Sequence, residues 1–242
     1  MFLLICYKYK MEKPTSVKRG KKPRVILEKS YKKNSAIKEI GIDEAGRGPM
    51  FGRVYSAAVV LPQNDTFHYD WMKDSKKFTS KKKIKEVAQY IKDNALFWSV
   101  SYETETCIDK INIRNATHSA MHKAITDIVS TNPKEDYFLL VDGNDFKPFI
   151  QVSEDSGFSP IQHVCIEGGD NKYASIAAAS ILAKVSRDAY IDELCQQDSD
   201  LAERYDLQNN KGYGTKKHME GIKEYGITKH HRKTFGICRQ YS

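Results

Sequence analysis

No apolar stretch in this 242-residue sequence approaches the ~18 consecutive residues of a membrane-spanning helix. The early run Phe2-Leu3-Leu4-Ile5-Cys6 is shorter than the roughly 7–15-residue core of a secretory signal, and lysines follow it directly. Cysteine is sparse. Cys6, Cys107, Cys165, Cys195 and Cys238 are scattered, with no C-x-x-C pair and no Cys/His knuckle. That argues against a structural zinc or a disulfide framework and fits free thiols in a reducing compartment. There is no G-x-S-x-G, and no cysteine sits in an activating context, so nothing points to a nucleophilic serine or cysteine. No internal repeat and no dimerisation stripe is visible. These absences leave a cytoplasmic, monomeric protein with enough chain for one large core.

Positive charge is present in excess and unevenly. The formal net charge is +8, yet residues 1–40 hold twelve Lys and Arg against three acids, so the remainder is close to neutral. Residues 1–37 read as a basic, disordered arm, with Val25-Ile26-Leu27 as its one sticky spot and Met11 as a second candidate start. A basic arm on a neutral body suits a polyanionic partner, nucleic acid first. The same arm also fits a solubilising tail, or a nuclear-localisation patch at Lys18-Arg19-Gly20-Lys21-Lys22-Pro23-Arg24.

The chemistry concentrates in Gly41-Ile42-Asp43-Glu44-Ala45-Gly46-Arg47-Gly48-Pro49. Two adjacent carboxylates end a short apolar run, a tight turn follows, and Val54–Leu61 is again strand-like. Adjacent acids repel and need cations or raised pKa values. Hard divalent ions such as Mg²⁺ or Mn²⁺ prefer such oxygens. Each piece alone is common in ordinary turns. Further along, Ser80 predicts the cap of a helix reaching Asn94. Leu96–Tyr102 alternates as a third strand of a meander, and a helix is predicted over Asp109–Val129. Tyr137–Val141 reads as a buried strand ending at Asp142-Gly143, where open α/β sheets place their chemistry. Residues 145–161 read as an irregular loop and His163–Ile166 as a fifth strand. Asp170 then precedes a long, small-residue helix, Tyr173–Asp188, where a carboxylate also serves as an ordinary cap.

Taken together and in order, these motifs resemble ribonuclease HII, the type 2 ribonuclease H family. The resemblance runs over residues 38–240. It rests on Gly41–Val60, on Asp74-Ser75-Lys76-Lys77, on Ile108-Asp109-Lys110-Ile111-Asn112-Ile113, and on Gly169-Asp170-Asn171-Lys172 with Ser175–Asp188. Lys211-Gly212-Tyr213-Gly214-Thr215-Lys216-Lys217-His218 and His230-His231-Arg232-Lys233-Thr234-Phe235 complete it. It implies a ribonuclease H-like α/β fold: a five-stranded mixed sheet flanked by helices over residues 38–195, and a C-terminal helical segment, 196–242, lining the substrate groove. It implies that Asp43, Glu44, Asp142 and Asp170 hold two Mg²⁺ or Mn²⁺ ions. The substrates implied are RNA/DNA hybrids and duplex DNA containing ribonucleotides. Cleavage would fall 5′ of the ribonucleotide, leave 3′-hydroxyl and 5′-phosphate ends, and serve ribonucleotide and primer removal. Gly46, Arg47 and Gly48 match the family's ribose sensor, with Tyr213 completing it, because the 2′-hydroxyl separates RNA from DNA. Lys76, Lys77, Lys184 and Asn112 are candidate backbone contacts. The Gly-Arg-Gly, and an arm too short and polar for a folded domain, favour type 2 over type 3. One departure stands out: Met50-Phe51-Gly52-Arg53 replaces the family's usual Leu-Ala-Gly-Pro, so Arg53 either adds a phosphate contact or reshapes the loop. His230 and His231 are not expected to bind metal, since adjacent histidines point apart.

Overall fold

A computed structural model describes residues 26–32, 36–153 and 157–241. The basic patch at 18–24, Met11 and Cys6 lie outside the described residues. Strands β1 (Ile37–Ala45), β2 (Val54–Val60) and β3 (Phe97–Glu103) form the expected antiparallel meander. Helix α1 (Lys81–Asn94) lies between β2 and β3, and Ser80 caps it by accepting from the Lys83 N–H. Helix α2 (Glu105–Thr131) then crosses over to β4 (Asp136–Asp142), which pairs parallel to β1. β5 (Ile150–Ser153) and β6 (Gly157–Pro160) make a separate hairpin. β7 (His163–Ile166) adds parallel to β4, so the mixed sheet has the order β3-β2-β1-β4-β7. Helix α3 (Ala174–Gln197) covers one face of the sheet. α4 (Ser199–Tyr205), α5 (Leu207–Asn210) and α6 (Lys216–Tyr225) form the C-terminal segment. Among the described residues no helix is long and apolar enough to cross a membrane.

The two-residue period of β1 sorts its side chains by face. Ile40 and Ile42 pack with Met121, Ala124, Ile125 and Ile128 of α2 and with Leu139 and Val141 of β4. Each fully buried isoleucine contributes roughly 1.5–3 kcal/mol. Gly41 and Asp43 therefore face the opposite helix, α3. There the backbones touch: a Cβ on Gly41 would lie 2.2 Å from the Ser175 carbonyl carbon. Ala174, Ala177, Ala178, Ala179 and Ala183 supply the small surface that this approach requires. A third cluster, built on Phe51, Tyr190, Tyr205, Leu207 and Ile222, joins the C-terminal helices to the far half of α3.

Three expectations need correction. The helix predicted from Asp109 begins four residues earlier, because the Thr104 hydroxyl caps it by accepting from the Cys107 N–H. It also breaks at Asn112, whose φ of 65° is non-helical. The loop predicted over 145–161 contains the β5–β6 hairpin. Residues 26–32, assigned by composition to the arm, dock on the body. Leu27 enters the core, and Tyr31 stacks on Phe138 with ring centroids 5.7 Å apart. Glu28 bridges to the start of α3: its N–H donates to the Lys172 carbonyl at 2.8 Å, and its carbonyl accepts from the Ala174 N–H at 3.0 Å. The buried Glu39 carboxylate accepts from the Ser30 hydroxyl and from the Tyr31 and Lys32 N–H groups. One carboxylate and one leucine thus outweigh a local composition that reads as disorder.

Glu39→Ala removes those charge-assisted bonds, each worth about 1.5–3 kcal/mol. We expect urea unfolding to show at least about 2 kcal/mol less stability, and a faster clip by protease near residue 32. An unchanged midpoint would mean that this docking contributes nothing to the fold.

Candidate active site

Asp43, two residues before the end of β1, and Asp142, the last residue of β4, lie on the same face of adjacent parallel strands. Ile42 pairs with Val141, so the two acids follow one step later, side by side. Asp43 is 5% exposed, and its carboxyl is pushed well up, first by burial and then by the charges of Glu44 and Asp142. Ser180 of α3 donates to it, and Ser75 stands 3.0 Å behind Ser180 in a buried hydroxyl pair. Glu44 is also raised by burial and Asp142, although Arg47, 3.4 Å away, opposes the shift. Asp142 accepts from the Gly169 N–H at 2.6 Å, which ties β4 to the 3₁₀ turn Gly169–Asn171. Asp170 sits buried in that turn, raised by burial, by Asp74 and by Asp142. It does not cap α3; Tyr173 occupies the cap position. Among the described residues no three His, Cys, Asp or Glu side chains are gathered closely enough to hold one ion as they stand. The donor set nonetheless fits hard divalent cations: four carboxylates from β1, β4 and the turn before α3, three of them raised by burial and by one another.

A cavity of about 450 Å³ joins these acids to the next loop. Asp43, Glu44 and Asp142 line it together with Gly46, Arg47, Gly48, Lys76, Lys184 and Tyr213. Gly46 has φ of 96°, and a Cβ there would strike Arg187 Nε at 2.2 Å, so only glycine fits. A Cβ on Gly48 would meet the Tyr213 ring at 3.5 Å. Tyr213 itself is half exposed. Lys184 pairs with Asp188 at 2.9 Å. Three candidates fall outside the cavity lining: Asp170, Lys77 and Asn112. Lys77 bonds the Asn171 side chain, and Asn112 caps the second part of α2 by accepting from the Asn115 N–H at 3.0 Å. The helix break gives Asn112 that work. The Arg53 guanidinium lies between two rings, 4.2 Å and 4.3 Å from the centres of Tyr102 and Tyr190.

Sequence reasoning missed buried residues in and behind the cavity wall. Arg187, 2% exposed, donates to the Phe51 and Lys211 carbonyls. Arg232 is fully buried and donates to four backbone carbonyls of the glycine-rich loop. His218 and His231 form a buried chain. The Thr228 N–H donates to His231 Nδ1, which leaves the proton on Nε2, 3.2 Å from His218 Nε2. His218 Nδ1–H then donates to the Tyr213 carbonyl at 2.9 Å. Adjacent His230 points away, toward Glu105 at 3.8 Å. Both arginines and both chained histidines lie in stretches whose pattern stands out, but nothing in a one-dimensional pattern says that they point inward.

Burial holds both chained rings neutral, with His231 lowered to about 3 and His218 also lowered. A depressed histidine pKa means that the unfolded chain takes up protons that the folded one refuses. The stability from these rings is therefore complete above about pH 6.5 and lost as pH falls below it. We expect up to about 1.4 kcal/mol per pH unit from His231 between pH 6.5 and 5, with a shallower slope in His231→Gln. Equal slopes would show that the rings titrate normally. Asp43 has the opposite sign: its raised pKa makes the ionised carboxylate a cost at neutral pH. In chelator at pH 8, Asp43→Asn is expected to melt about 2–4 °C higher for each kcal/mol relieved. Added Mn²⁺ should then raise the melting temperature of the parent and leave the variant unmoved. A variant that melts lower in chelator would remove the repulsion argument.

Comparison with known proteins gives a consistent set of relatives. The family model for Ribonuclease HII matches residues 40–238. The Ribonuclease HII of Bacteroides fragilis is 42% identical over 204 residues, covering 84% of this chain and 92% of that protein. Among solved structures, ribonuclease H2 from Pyrococcus horikoshii superposes with a TM-score of 0.65 at 24% identity, covering 85% of this chain and 97% of the other. Bst-RNase HIII in complex with Mn²⁺ superposes at 0.57 with 17% identity, covering 78% and 70%. At those identities the two structures speak for the fold alone.

Proposed function

This chain belongs to the ribonuclease HII family and is a ribonuclease H hydrolase, and on that premise we propose that it cuts the phosphodiester 5′ of a ribonucleotide, both in RNA/DNA hybrids and in duplex DNA. The reading is carried by one observation: a single cavity is lined both by Asp43, Glu44 and Asp142 and by Gly46, Arg47, Gly48 and Tyr213. A carboxylate cluster alone suits any metal-dependent nuclease. A Gly-Arg-Gly turn facing an exposed tyrosine has no evident use unless there is a 2′-hydroxyl to read.

In this reading Asp43, Glu44, Asp142 and Asp170 hold two divalent ions, Mg²⁺ or Mn²⁺. Bound there, such ions neutralise charge developing at the phosphate and acidify the attacking water. The protein's own groups prepare the site. Ser180, backed by Ser75, holds Asp43 in its ionised orientation. The Gly169 N–H fixes one oxygen of Asp142. Lys76 and Lys184 offer cations to the flanking phosphates, which position the strand and read no sequence. The Gly46–Gly48 backbone addresses the ribose hydroxyl, and the Tyr213 ring offers a face to the neighbouring sugar. The products carry 3′-hydroxyl and 5′-phosphate ends, and the cellular role is removal of ribonucleotides and primers from DNA by a monomeric enzyme.

The test uses end-labelled duplex DNA with one ribonucleotide, beside an all-DNA duplex and a long hybrid, in Mg²⁺, Mn²⁺ or chelator. Metal-dependent cutting 5′ of the ribonucleotide is expected, falling at least about a hundredfold in Asp43→Asn. Tyr213→Ala should cost more kcat/KM on the single ribonucleotide than on the hybrid. Cutting of the hybrid alone would keep the nuclease and remove the junction reading. Binding without cutting would make the chain a hybrid-binding module.

A further inference from the structure

Arg232 sits ten positions from the end of the chain, yet its guanidinium is buried under the turn near the start. Nε donates to the Gly52 carbonyl at 2.8 Å, Nη1 to those of Arg47 at 3.0 Å and Pro49 at 2.8 Å, and Nη2 to that of Gly46 at 2.6 Å. Its backbone N–H adds a bond to the Met50 carbonyl at 2.8 Å. No carboxylate forms an ion pair with it among the described residues. Its partners are carbonyl dipoles, and the Phe235 ring centre lies 5.0 Å from the guanidinium. A cation buried in this way costs too much to be incidental.

A trans peptide is planar, and its C=O and N–H point in opposite directions. Every carbonyl drawn down to Arg232 therefore turns the next residue's N–H away from it. The rule can be checked once in this loop. The Pro49 carbonyl faces Arg232, and the Met50 N–H points the other way, to the Gly212 carbonyl at 2.9 Å, beside Tyr213. By the same geometry, the Gly46 and Arg47 carbonyls aim the Arg47 and Gly48 N–H groups at the Tyr213 side, where the cavity lies. Neither N–H meets a protein acceptor among the described residues. We infer that Arg232 is the positioning residue for ribose discrimination: it aims two backbone donors, those of Arg47 and Gly48, at the 2′-hydroxyl. This rests on the ribose-reading role proposed above for the same loop.

Lysine at 232 keeps the charge but offers three donors from one point, so it cannot reproduce a planar fork over four carbonyls. The experiment compares the parent with Arg232→Lys. Binding to a duplex with one ribonucleotide and to the same duplex in DNA is measured in chelator, so that no strand is cut. We expect the ratio of the two affinities to fall about tenfold or more, through loss on the ribonucleotide duplex alone. Amide exchange in the 46–52 segment should rise while β1 stays protected. The Mn²⁺ affinity should be unchanged, because the carboxylates are untouched. Phe235→Leu, which removes the ring beside the guanidinium, is the second variant should the first not fold, and it should move the ratio in the same direction by less. An unchanged ratio in the folded variant, or equal loss on both duplexes, overturns the inference. A parent that does not distinguish the two duplexes overturns the ribose-reading role itself, which is a separate result.

Discussion

The contact on which the site depends is between two backbones. At Gly41 the start of α3 presses directly on β1, with no side chain between them. That approach puts the face carrying Asp43 against Ser180, and it places the Gly169–Asn171 turn beside the end of β4. Parallel pairing of β1 with β4 does the rest, since it sets Asp43 and Asp142 at the same level. Asp43, Glu44 and Asp142 then line one cavity, with Asp170 in the adjoining turn, because a rigid sheet and a rigid helix fix where each can sit. The packing holds the charges together, and the charges give the packing its chemical use.

The C-terminal segment solves a different problem, holding a loop with little regular structure of its own. Between β1 and β2 the chain is anchored by the buried side chains of Met50 and Phe51 and by many backbone hydrogen bonds. Arg187 and Arg232 receive its carbonyls, and the Gly212 and His230 carbonyls receive its N–H groups. Asp109, at the start of α2, accepts from the Lys233 and Thr234 N–H groups and so fixes the residues next to Arg232. Stretches that look like substrate motifs in one dimension thus split into two kinds. Some residues face the cavity, and others hold from behind the residues that do.

The fold was largely legible. The alternation of β1 to β3, the continuous apolar β4 and the alanine-rich α3 each announce their elements, and the order of the motifs gives the architecture. Asp43, Glu44, Asp142 and Asp170 stood out through the order of the motifs that contain them, since each alone is common in ordinary turns or caps. What stayed hidden depends on three-dimensional direction. A buried arginine reads like an exposed one, so Arg187 and Arg232 passed unremarked. Asn112 looked like a polar residue near a helix start, and only its positive φ reveals an internal cap. For Arg53 the sequence left a phosphate contact and a reshaped loop both open, and said nothing of the two tyrosines that flank it. Residues 26–32 carry a composition typical of a tail, and their partners Glu39 and Lys172–Ala174 lie elsewhere in the chain.

The docking of Arg232 also imposes a timetable. The four acids and the first ten residues of α3, Ser180 among them, are present once residue 183 has been made. The residue that orders the Gly46–Gly52 turn arrives 49 positions later. At about 5–20 residues per second, the ribosome needs roughly 2 to 10 s to cover that interval. A nascent chain thus completes its charge cluster well before the turn next to it acquires its final shape.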